Sequence, residues 1–205
     1  MKELKRRYDE IPGDYYEKAR LFRWWHRNRF SKALNLIAST KGSSLILDIG
    51  CDGGMFTQML TQHGEVIGLD ISQSFIENAR RRYRTPHFLI CDAQNLPLRE
   101  SIFNIVTCLE LLEHVPNPER VIKEVSRVLR SGGELILSVP NEENFLWRII
   151  WFIWERVGRG IVWKNLHLTH FNQPSILSLL SDQFGNIKIK LANFRMILII
   201  RGLKR

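Results

Sequence analysis

Residues 44–56 read SLILDIGCDGGMF, an apolar run that ends in a glycine-rich turn and leads into a helical pattern. A short apolar run bounded by a turn is typical of a β-strand that is buried on both faces. Glycines in the turn let backbone amides approach a ligand, and the next helix presents its N-terminus to the same place. The stretch therefore predicts the first strand, turn and helix of a ligand-binding α/β fold.

The alternation of strand and helix continues along the chain. Beyond the first strand we predict strands at 65–70, 87–91, 103–109 and 134–139, with helices at 53–63, 74–83 and 117–131 between them. A capping box from Ser74 to Glu77 would open the second helix. Asn117 would cap the third helix, and Gly132 would end it. Residues 186–201 predict two further strands, antiparallel at the sheet edge. The expected fold is a seven-stranded, mostly parallel sheet with helices on both faces, which binds ligands beyond the carboxyl ends of its strands.

The chain has 205 residues and a net charge of +9, which is unevenly distributed. Residues 1–32, 145–164 and 185–205 are basic, with net charges of +5, +3 and +6, and the remainder carries −5. This pattern is compatible with lipid, nucleic acid or an anionic substrate as partner, and equally with solubility alone. Three cysteines without a CxxC pair argue against a disulfide framework. Because the first twenty residues also lack the apolar core of a signal peptide, we expect a cytoplasmic protein.

The glycine-rich turn argues against two common nucleotide-binding motifs. A dinucleotide fingerprint needs glycine at three places, where this chain has Gly50, Asp52 and Met55. A phosphate-binding loop would need Gly-Lys-Ser/Thr after the turn, and that sequence does not follow it. Asp48 and Asp52 would also place negative charge where a pyrophosphate would lie. The turn therefore predicts a cationic or zwitterionic ligand and disfavours a nicotinamide oxidoreductase.

Two further carboxylates follow predicted strands. Asp70 lies twenty residues after Gly50, where a carboxylate can accept hydrogen bonds from both hydroxyls of a ribose. Asp92 follows the third strand and, with Ala93, could meet the edge of an adenine. Each acid alone could be a helix cap or a turn residue. Together, at successive strand ends, they predict a site for a ribose, a purine and a positive group.

Five segments lie in order within residues 44–141: LDIGCDGG, GLDIS, CDAQNLP, FNIVTCLELLEHV and LRSGGELILSVPN. They resemble the successive motifs of the class I S-adenosylmethionine-dependent methyltransferases, and are most similar to members that methylate quinones, sterols and other small molecules. The resemblance implies a Rossmann-like fold, S-adenosylmethionine as cofactor and S-adenosylhomocysteine as product. One position departs from the family turn, which usually reads Gly-Cys-Gly-x-Gly. Asp52 replaces the middle glycine, and we expect Gly53 to relieve the turn instead.

The resemblance also implies which residues contact the cofactor. The implied contacts are Asp48, Gly50, Cys51 and Gly54 for the methionine part, Asp70 for the ribose, Ile71, Asp92 and Ala93 for the adenine, and Leu109 and Glu110 near the transferred methyl group. The family organisation further implies a single methyltransferase domain. Its parts would be an N-terminal helical cap at 1–40, a cofactor-binding core at 44–141, a helical lid insertion at 142–172, and a C-terminal helix with closing strands at 173–205.

Three histidines are candidates for a general base or for acceptor binding: His114, His167 and His170. An imidazole with its ordinary pKa near ~6.5 suits proton transfer to or from a hydroxyl acceptor. The segment LHLTHF at 166–171 is similar to a His-x-x-His-Phe stretch in many family members, which implies a place near the acceptor pocket. The alternative is that the histidines hold the loop by hydrogen bonds. Metal binding by the pair His167 and His170 would need further ligands, and none is spaced to match, so we predict no metal site.

The expected lid contains four tryptophans and four basic residues within 145–164. Its apolar run is too short to span a bilayer, which takes about 20 residues, and it resembles an interfacial helix. It would rest on a membrane or cover a hydrophobic substrate such as a prenylated ring or a lipid. An ordinary lid and a homodimer contact are the alternatives. Trp24 and Trp25 would pack against it.

The leading hypothesis is methyl transfer to a small, apolar or lipid-like acceptor. Methylation of RNA or protein is an alternative that the basic flanks allow. However, the sequence shows no appended nucleic-acid module, and Asn-Pro-Pro-Tyr, typical of amino-group methylation, does not follow the fourth strand. A third alternative is a non-catalytic subunit that only binds the cofactor.

Overall fold

The computed structural model describes residues 6, 9, 20–37, 44–154, 156 and 166–205. The helices are α1 (Arg20–Leu34), α2 (Met55–Leu60), α3 (Gln73–Arg82), α4 (Pro118–Val128), α5 (Phe145–Trp154) and α6 (Gln173–Leu180), with a short 3-10 helix at Leu112–His114. The strands are β1 (Ser44–Ile49), β2 (Gly64–Asp70), β3 (His87–Ile90), β4 (Phe103–Leu109), β5 (Leu129–Pro140), β6 (Phe184–Ala192) and β7 (Ile197–Lys204).

The described strands form one sheet in the order β3-β2-β1-β4-β5-β7-β6. The first five strands pair in parallel, and β7 pairs antiparallel with both β5 and β6. The predicted Rossmann-like, seven-stranded and mostly parallel sheet is confirmed. Because β1 lies between β2 and β4, the strand order reverses at this point. Sheets of this kind open a crevice there, at the carboxyl ends of the strands.

Helices cover both faces of the sheet. On one face, α4 and α6 bury Val121, Val125 and Ile176 in a cluster with β4 and β5. On the other face, α1 and α2 bury Phe30 and Phe56, whose ring centroids lie 4.9 Å apart. Each helix contributes a stripe of apolar side chains to the sheet, and this burial is the main source of its stability. The crevice therefore stands on a scaffold that is packed on both sides.

Two predicted helix boundaries are wrong. Ser72, not Ser74, caps α3, and its hydroxyl accepts from the Phe75 amide. Helix α4 begins after the predicted cap Asn117 but ends at Val128, before the predicted end at Gly132. The following residues already belong to β5, which bulges where its partners on β4 step from Phe103 to Ile105. Gly132 and Gly133 lie within this strand. The sequence alone does not distinguish a glycine pair that ends a helix from one that forms a bulge in a strand.

The predicted cap and lid are described in part. Within the cap at 1–40, the described residues 20–34 are helical, as α1. Within the lid at 142–172, helix α5 is described, whereas residues 155 and 157–165 lie outside the described residues. None of the described helices is long and apolar enough to cross a membrane.

Candidate active site

A cavity of about 600 Å³ lies at the carboxyl ends of β1, β2 and β4. Its walls come from the turn after β1, from the ends of these strands, and from helices α1 and α5. This is the point at which the strand order reverses, as expected for a doubly wound sheet. The volume falls in the ordinary range of small-molecule sites, roughly 300–1,000 Å³.

Most of the predicted site residues line this cavity. They are Asp48, Gly50, Cys51, Asp70, Ile71, Asp92, Ala93, Leu109, Glu110, His114 and His167. Gly54 does not line it. It caps α2 with a left-handed backbone (φ +82°), and a Cβ there would lie 2.8 Å from the Phe88 ring, so Gly54 serves packing. His170 is also outside the lining: its side chain is 73% exposed and contacts Glu142, so the prediction of a place in the acceptor pocket is corrected.

The turn after β1 accommodates Asp52 by letting it adopt the left-handed conformation itself. Asp52 has φ +49°, between Gly50 at +72° and Gly54 at +82°, whereas Gly53 has no positive φ. The expectation that Gly53 relieves the turn is therefore wrong. Aspartate tolerates this region better than most residues. The Asp52 backbone amide donates to the Asp70 carboxylate (3.1 Å) and links the turn to β2.

Asp70 is a fixed hydrogen-bond acceptor at the end of β2. One of its oxygens accepts from the Asp52 amide and the other from the Ser72 amide (2.9 Å). Burial raises the pKa of Asp70 to about 6, against the opposing effect of these amides. The carboxylate thus faces the cavity in a set orientation, with lone pairs left for a ligand.

Asp48 is held by two buried hydroxyls. Thr107 on β4 donates to one carboxylate oxygen (2.6 Å), and Thr57 on α2 donates to the other (2.7 Å). Burial raises the pKa of Asp48 to about 6, and both hydroxyls oppose that rise. Neither threonine was predicted from the sequence. Thr107 could have been predicted from the alignment of β1 with β4, because that register places it opposite Asp48.

A buried cation enters the cavity from α1. Arg29 is only 7% exposed, and its Nη1 lies 3.5 Å from Glu110 Oε2 at the end of β4. Ser138 donates to the other oxygen of Glu110 (2.8 Å). The Nε of Arg29 has no hydrogen-bond partner among the described residues. Arg29 was not predicted from the sequence because it is one of many basic residues in the N-terminal segment.

The far end of the cavity contains two histidines and a buried acid. His114 Nδ1 lies 3.0 Å from the Leu166 carbonyl, and burial lowers its pKa to about 3. His167 Nδ1 lies 2.9 Å from Glu142 Oε1. Glu113, on the same 3-10 helix as His114, is 1% exposed; burial, followed by the charge of Glu110, raises its pKa well above the ordinary value. Glu113 was not among the site residues predicted from the sequence.

Aromatic side chains of α1 and α5 also line the cavity. Trp147 and Trp151 of α5 stack with ring centroids 5.1 Å apart, and Trp151 lies 4.2 Å from the His167 ring. Trp24 of α1 lies 6.3 Å from Phe194, in the turn between β6 and β7, and both line the same cavity. The cavity therefore joins a polar half, built on strand-end carboxylates, to an aromatic half that contains the histidines.

Comparisons with known proteins identify the family. A family model described as "Methyltransferase domain" matches residues 47–137. The chain is 30% identical over 179 residues to the ubiquinone biosynthesis O-methyltransferase of Coxiella burnetii. The aligned region covers 79% of this chain and 76% of that protein.

Two solved structures share the fold. A Thermotoga maritima protein described as an S-adenosylmethionine-dependent methyltransferase and possible histamine N-methyltransferase gives a TM-score of 0.74 at 24% identity, covering 98% of this chain and all of that one. The N-methyltransferase NodS of Bradyrhizobium japonicum, in complex with S-adenosylhomocysteine, gives a TM-score of 0.70 at 16% identity. The match covers 99% of this chain and 97% of that one.

The chain belongs to the class I S-adenosylmethionine-dependent methyltransferases. It is an enzyme whose cofactor is S-adenosylmethionine, so the family, the enzyme class and the cofactor predicted from the sequence are confirmed.

Proposed function

We propose that this enzyme transfers the methyl group of S-adenosylmethionine to a hydroxyl of a small, apolar, lipid-like acceptor. The observation that carries the proposal is the division of one cavity into a carboxylate half and an aromatic half. The cofactor bears two positive groups, a sulfonium and an ammonium, which suit the carboxylate half. The aromatic half suits an apolar acceptor. The relative in Coxiella burnetii, named for ubiquinone biosynthesis, supports this class of acceptor.

The polar half can be assigned to parts of the cofactor. We assign the ribose hydroxyls to Asp70, whose two oxygens are oriented by backbone amides. The adenine then lies between Ile71 and the pair Asp92 and Ala93, where an Asx turn fixes the Asp92 carboxylate against the Gln94 amide (2.9 Å). The turn from Asp48 to Cys51 and the end of β4 at Leu109 and Glu110 surround the methionine part.

We assign the carboxylate of the methionine part to Arg29. Arg29 is a cation of the cavity lining, and it is buried. An arginine buried with an unsatisfied nitrogen costs free energy unless an anion meets it, and a carboxylate matches its planar donors. Glu110 already neutralises one side of the guanidinium at 3.5 Å. Arg29 Nη2 lies 3.1 Å from His26 Nδ1, so the ligand carboxylate would meet the unpartnered Nε and fix the methionine chain along the floor of the cavity.

The chain's main contribution to the reaction is positioning. The reaction is an in-line displacement at the methyl carbon, with a thioether as leaving group. Alignment of the acceptor oxygen with the S–CH3 axis and exclusion of water can provide much of the rate enhancement. Trp147, Trp151 and the strand ends enclose the reacting atoms. We assign His114 and His167 to the acceptor hydroxyl because both lie at the aromatic end of the cavity.

Helix α5 is the proposed contact with a lipid surface. Phe145 and Phe152 are 75% and 58% exposed, and Ile153 is also exposed. Arg148 and Arg156 stand among these side chains and suit anionic headgroups. An apolar acceptor could then enter the cavity past Trp24 and Phe194 directly from the lipid. A homodimer formed through the same helix is the competing occupant.

The experiment that tests the acceptor class is a transfer assay with radiolabelled S-adenosylmethionine. The acceptors are a phenol with a prenyl tail, the same phenol without the tail, a mixed RNA and casein. We expect label in the prenylated phenol, less in the short phenol, and none in the polymers. Label in RNA or protein alone would overturn the proposal. Binding of the cofactor without transfer to any acceptor would instead favour a non-catalytic subunit.

A further inference from the structure

A cluster of metal-binding side chains lies at the acceptor end of the cavity. Glu113 and His114 come from the 3-10 helix, and His167 comes from the loop before α6. Each offers one ligand atom, and the three atoms lie within 4.8 Å of one another. Metal–ligand bonds to histidine and carboxylate are about 2.0–2.2 Å, so two ligands in a tetrahedral site lie about 3.3–3.6 Å apart. Side-chain adjustments of about 1 Å would bring all three ligand atoms to one ion.

Glu113 gives an independent sign that a cation belongs here. Its side chain is 1% exposed, and its Oε2 has no hydrogen-bond partner among the described residues. Glu110 lies close enough to repel it. A buried carboxylate oxygen without a partner is costly, and a bound cation removes that cost. The charge of Arg29 offsets part of this repulsion, but Arg29 donates no hydrogen bond to Glu113 Oε2.

The two histidines are oriented as metal-binding histidines usually are. A metal-bound imidazole commonly donates its other ring N–H to a carbonyl or a carboxylate, which fixes the ring. His114 places Nδ1 3.0 Å from the Leu166 carbonyl, and His167 places Nδ1 2.9 Å from the Glu142 carboxylate. These contacts fix both rings and, in His167, leave Nε2 for the ion. Glu142 thereby acts as a positioning residue.

We propose that Glu113, His114 and His167 bind one divalent cation of borderline softness, of which Zn²⁺ is the type, and that the acceptor hydroxyl completes its coordination. Two histidines and one glutamate are the ligand set of a catalytic zinc site with an open position. The role of the acceptor rests on the proposed function; the ion site itself does not.

The ion would prepare the acceptor for methylation. A hydroxyl on a divalent ion loses its proton far more readily than a free one, and the proton passes to water. The acceptor oxygen then forms a bond to the methyl carbon while the carbon–sulfur bond breaks. The electron pair of that bond stays on sulfur and leaves S-adenosylhomocysteine as a neutral thioether. The sequence analysis predicted no metal site because His114 and Glu113 lie more than fifty residues before His167.

The test is a calorimetric titration with Zn²⁺ alone. The full chain, without a histidine tag, is first stripped with a chelator and dialysed. We expect about one ion per chain, with micromolar or tighter affinity, as for an open three-ligand site. His114→Ala and His167→Ala should each abolish this binding. Glu142→Gln should weaken it by about 10–100-fold because the carboxylate only orients His167.

A control variant separates loss of the site from general loss of histidine. His87→Ala removes an exposed histidine on β3 and should bind Zn²⁺ like the wild type. Binding by the His114 and His167 variants equal to that of the wild type, or loss of binding in His87→Ala, would overturn the site. S-adenosylhomocysteine is titrated into each preparation. Retained binding of this ligand with no Zn²⁺ binding in the wild type would overturn the metal site and leave the methyltransferase intact.

Discussion

Asp48 of β1 and Thr107 of β4 lie opposite each other in the sheet, and the Thr107 hydroxyl donates a 2.6 Å hydrogen bond to the Asp48 carboxylate. This pair joins the two strands between which the strand order reverses. It fixes a buried carboxylate at the base of the cavity, and the contacts of this carboxylate among the described residues are hydroxyls. In the proposed assignment the positive methionine part of the cofactor would lie beside Asp48, and the site would then be electrostatically complementary to the cofactor before it binds.

Replacement of Asp70 tests the ribose assignment. Asp70→Ala removes the acceptor for two ribose hydroxyls, and charged hydrogen bonds are worth about 1.5–3 kcal/mol each. We expect the affinity for S-adenosylhomocysteine, measured by calorimetry, to fall by at least about tenfold. Asp182→Ala, an exposed acid remote from the cavity, is the matched control. Because Asp70 also accepts from the Asp52 and Ser72 amides, circular dichroism must show that the fold persists. Unchanged affinity in a folded variant would contradict the assignment.

The affinity for the cofactor should depend on pH around 6. Burial raises the pKa of both Asp48 and Asp70 to about 6 in the ligand-free protein. A cationic ligand and ribose hydroxyls favour the ionised carboxylates, so a group protonated below its pKa must first lose its proton. We therefore expect S-adenosylmethionine to bind at least about tenfold more weakly near pH 5 than near pH 7.5, with a plateau above 7. Asp48→Asn and Asp70→Asn should each flatten the curve. A flat curve in the wild type would show that neither group changes its protonation on binding.

The local part of the site could be predicted from the sequence. The turn at Gly50 and the acids Asp70 and Asp92 each follow a strand, and parallel strands bring their carboxyl ends to one edge. The short-range pattern of a strand followed by a glycine turn or an acid was therefore enough to predict these residues. The fold followed from the same alternation.

The parts that were missed depend on contacts between distant segments. Arg29 approaches Glu110 across 81 positions of sequence, and His167 approaches His114 across 53. No local periodicity indicates such pairs. His170 shows the converse error, because a His-x-x-His spacing cannot tell which ring turns inward. In this loop the His167 ring is against Trp151, and the His170 ring is in solvent.

Arg29 should discriminate between ligands with and without a carboxylate. Arg29→Met keeps an apolar stem of similar length but removes the guanidinium. We expect S-adenosylhomocysteine to bind about 10–100-fold more weakly, the range for a lost charge-assisted hydrogen bond. Methylthioadenosine, which lacks the carboxylate, should bind equally to variant and wild type in the same calorimetric assay. Arg27→Met, an exposed arginine on the same helix, provides the control. Equal losses for both ligands would mean that Arg29 supports the cavity as a whole.

The exposed face of α5 should govern attachment to anionic lipid. Trp151 faces the cavity, so its replacement would confuse lipid binding with substrate binding; Phe145 and Phe152 face solvent instead. A Phe145→Glu, Phe152→Glu double variant removes apolar area and adds repulsion from the headgroups. We expect wild-type protein to sediment with vesicles of anionic phospholipid and the variant to remain in the supernatant. Leu89→Glu, an exposed apolar residue on β3, should sediment like the wild type. Size-exclusion chromatography runs in parallel, because a shift of the variant from dimer to monomer, with no change in vesicle binding, would assign this helix to a homodimer and end the lipid proposal.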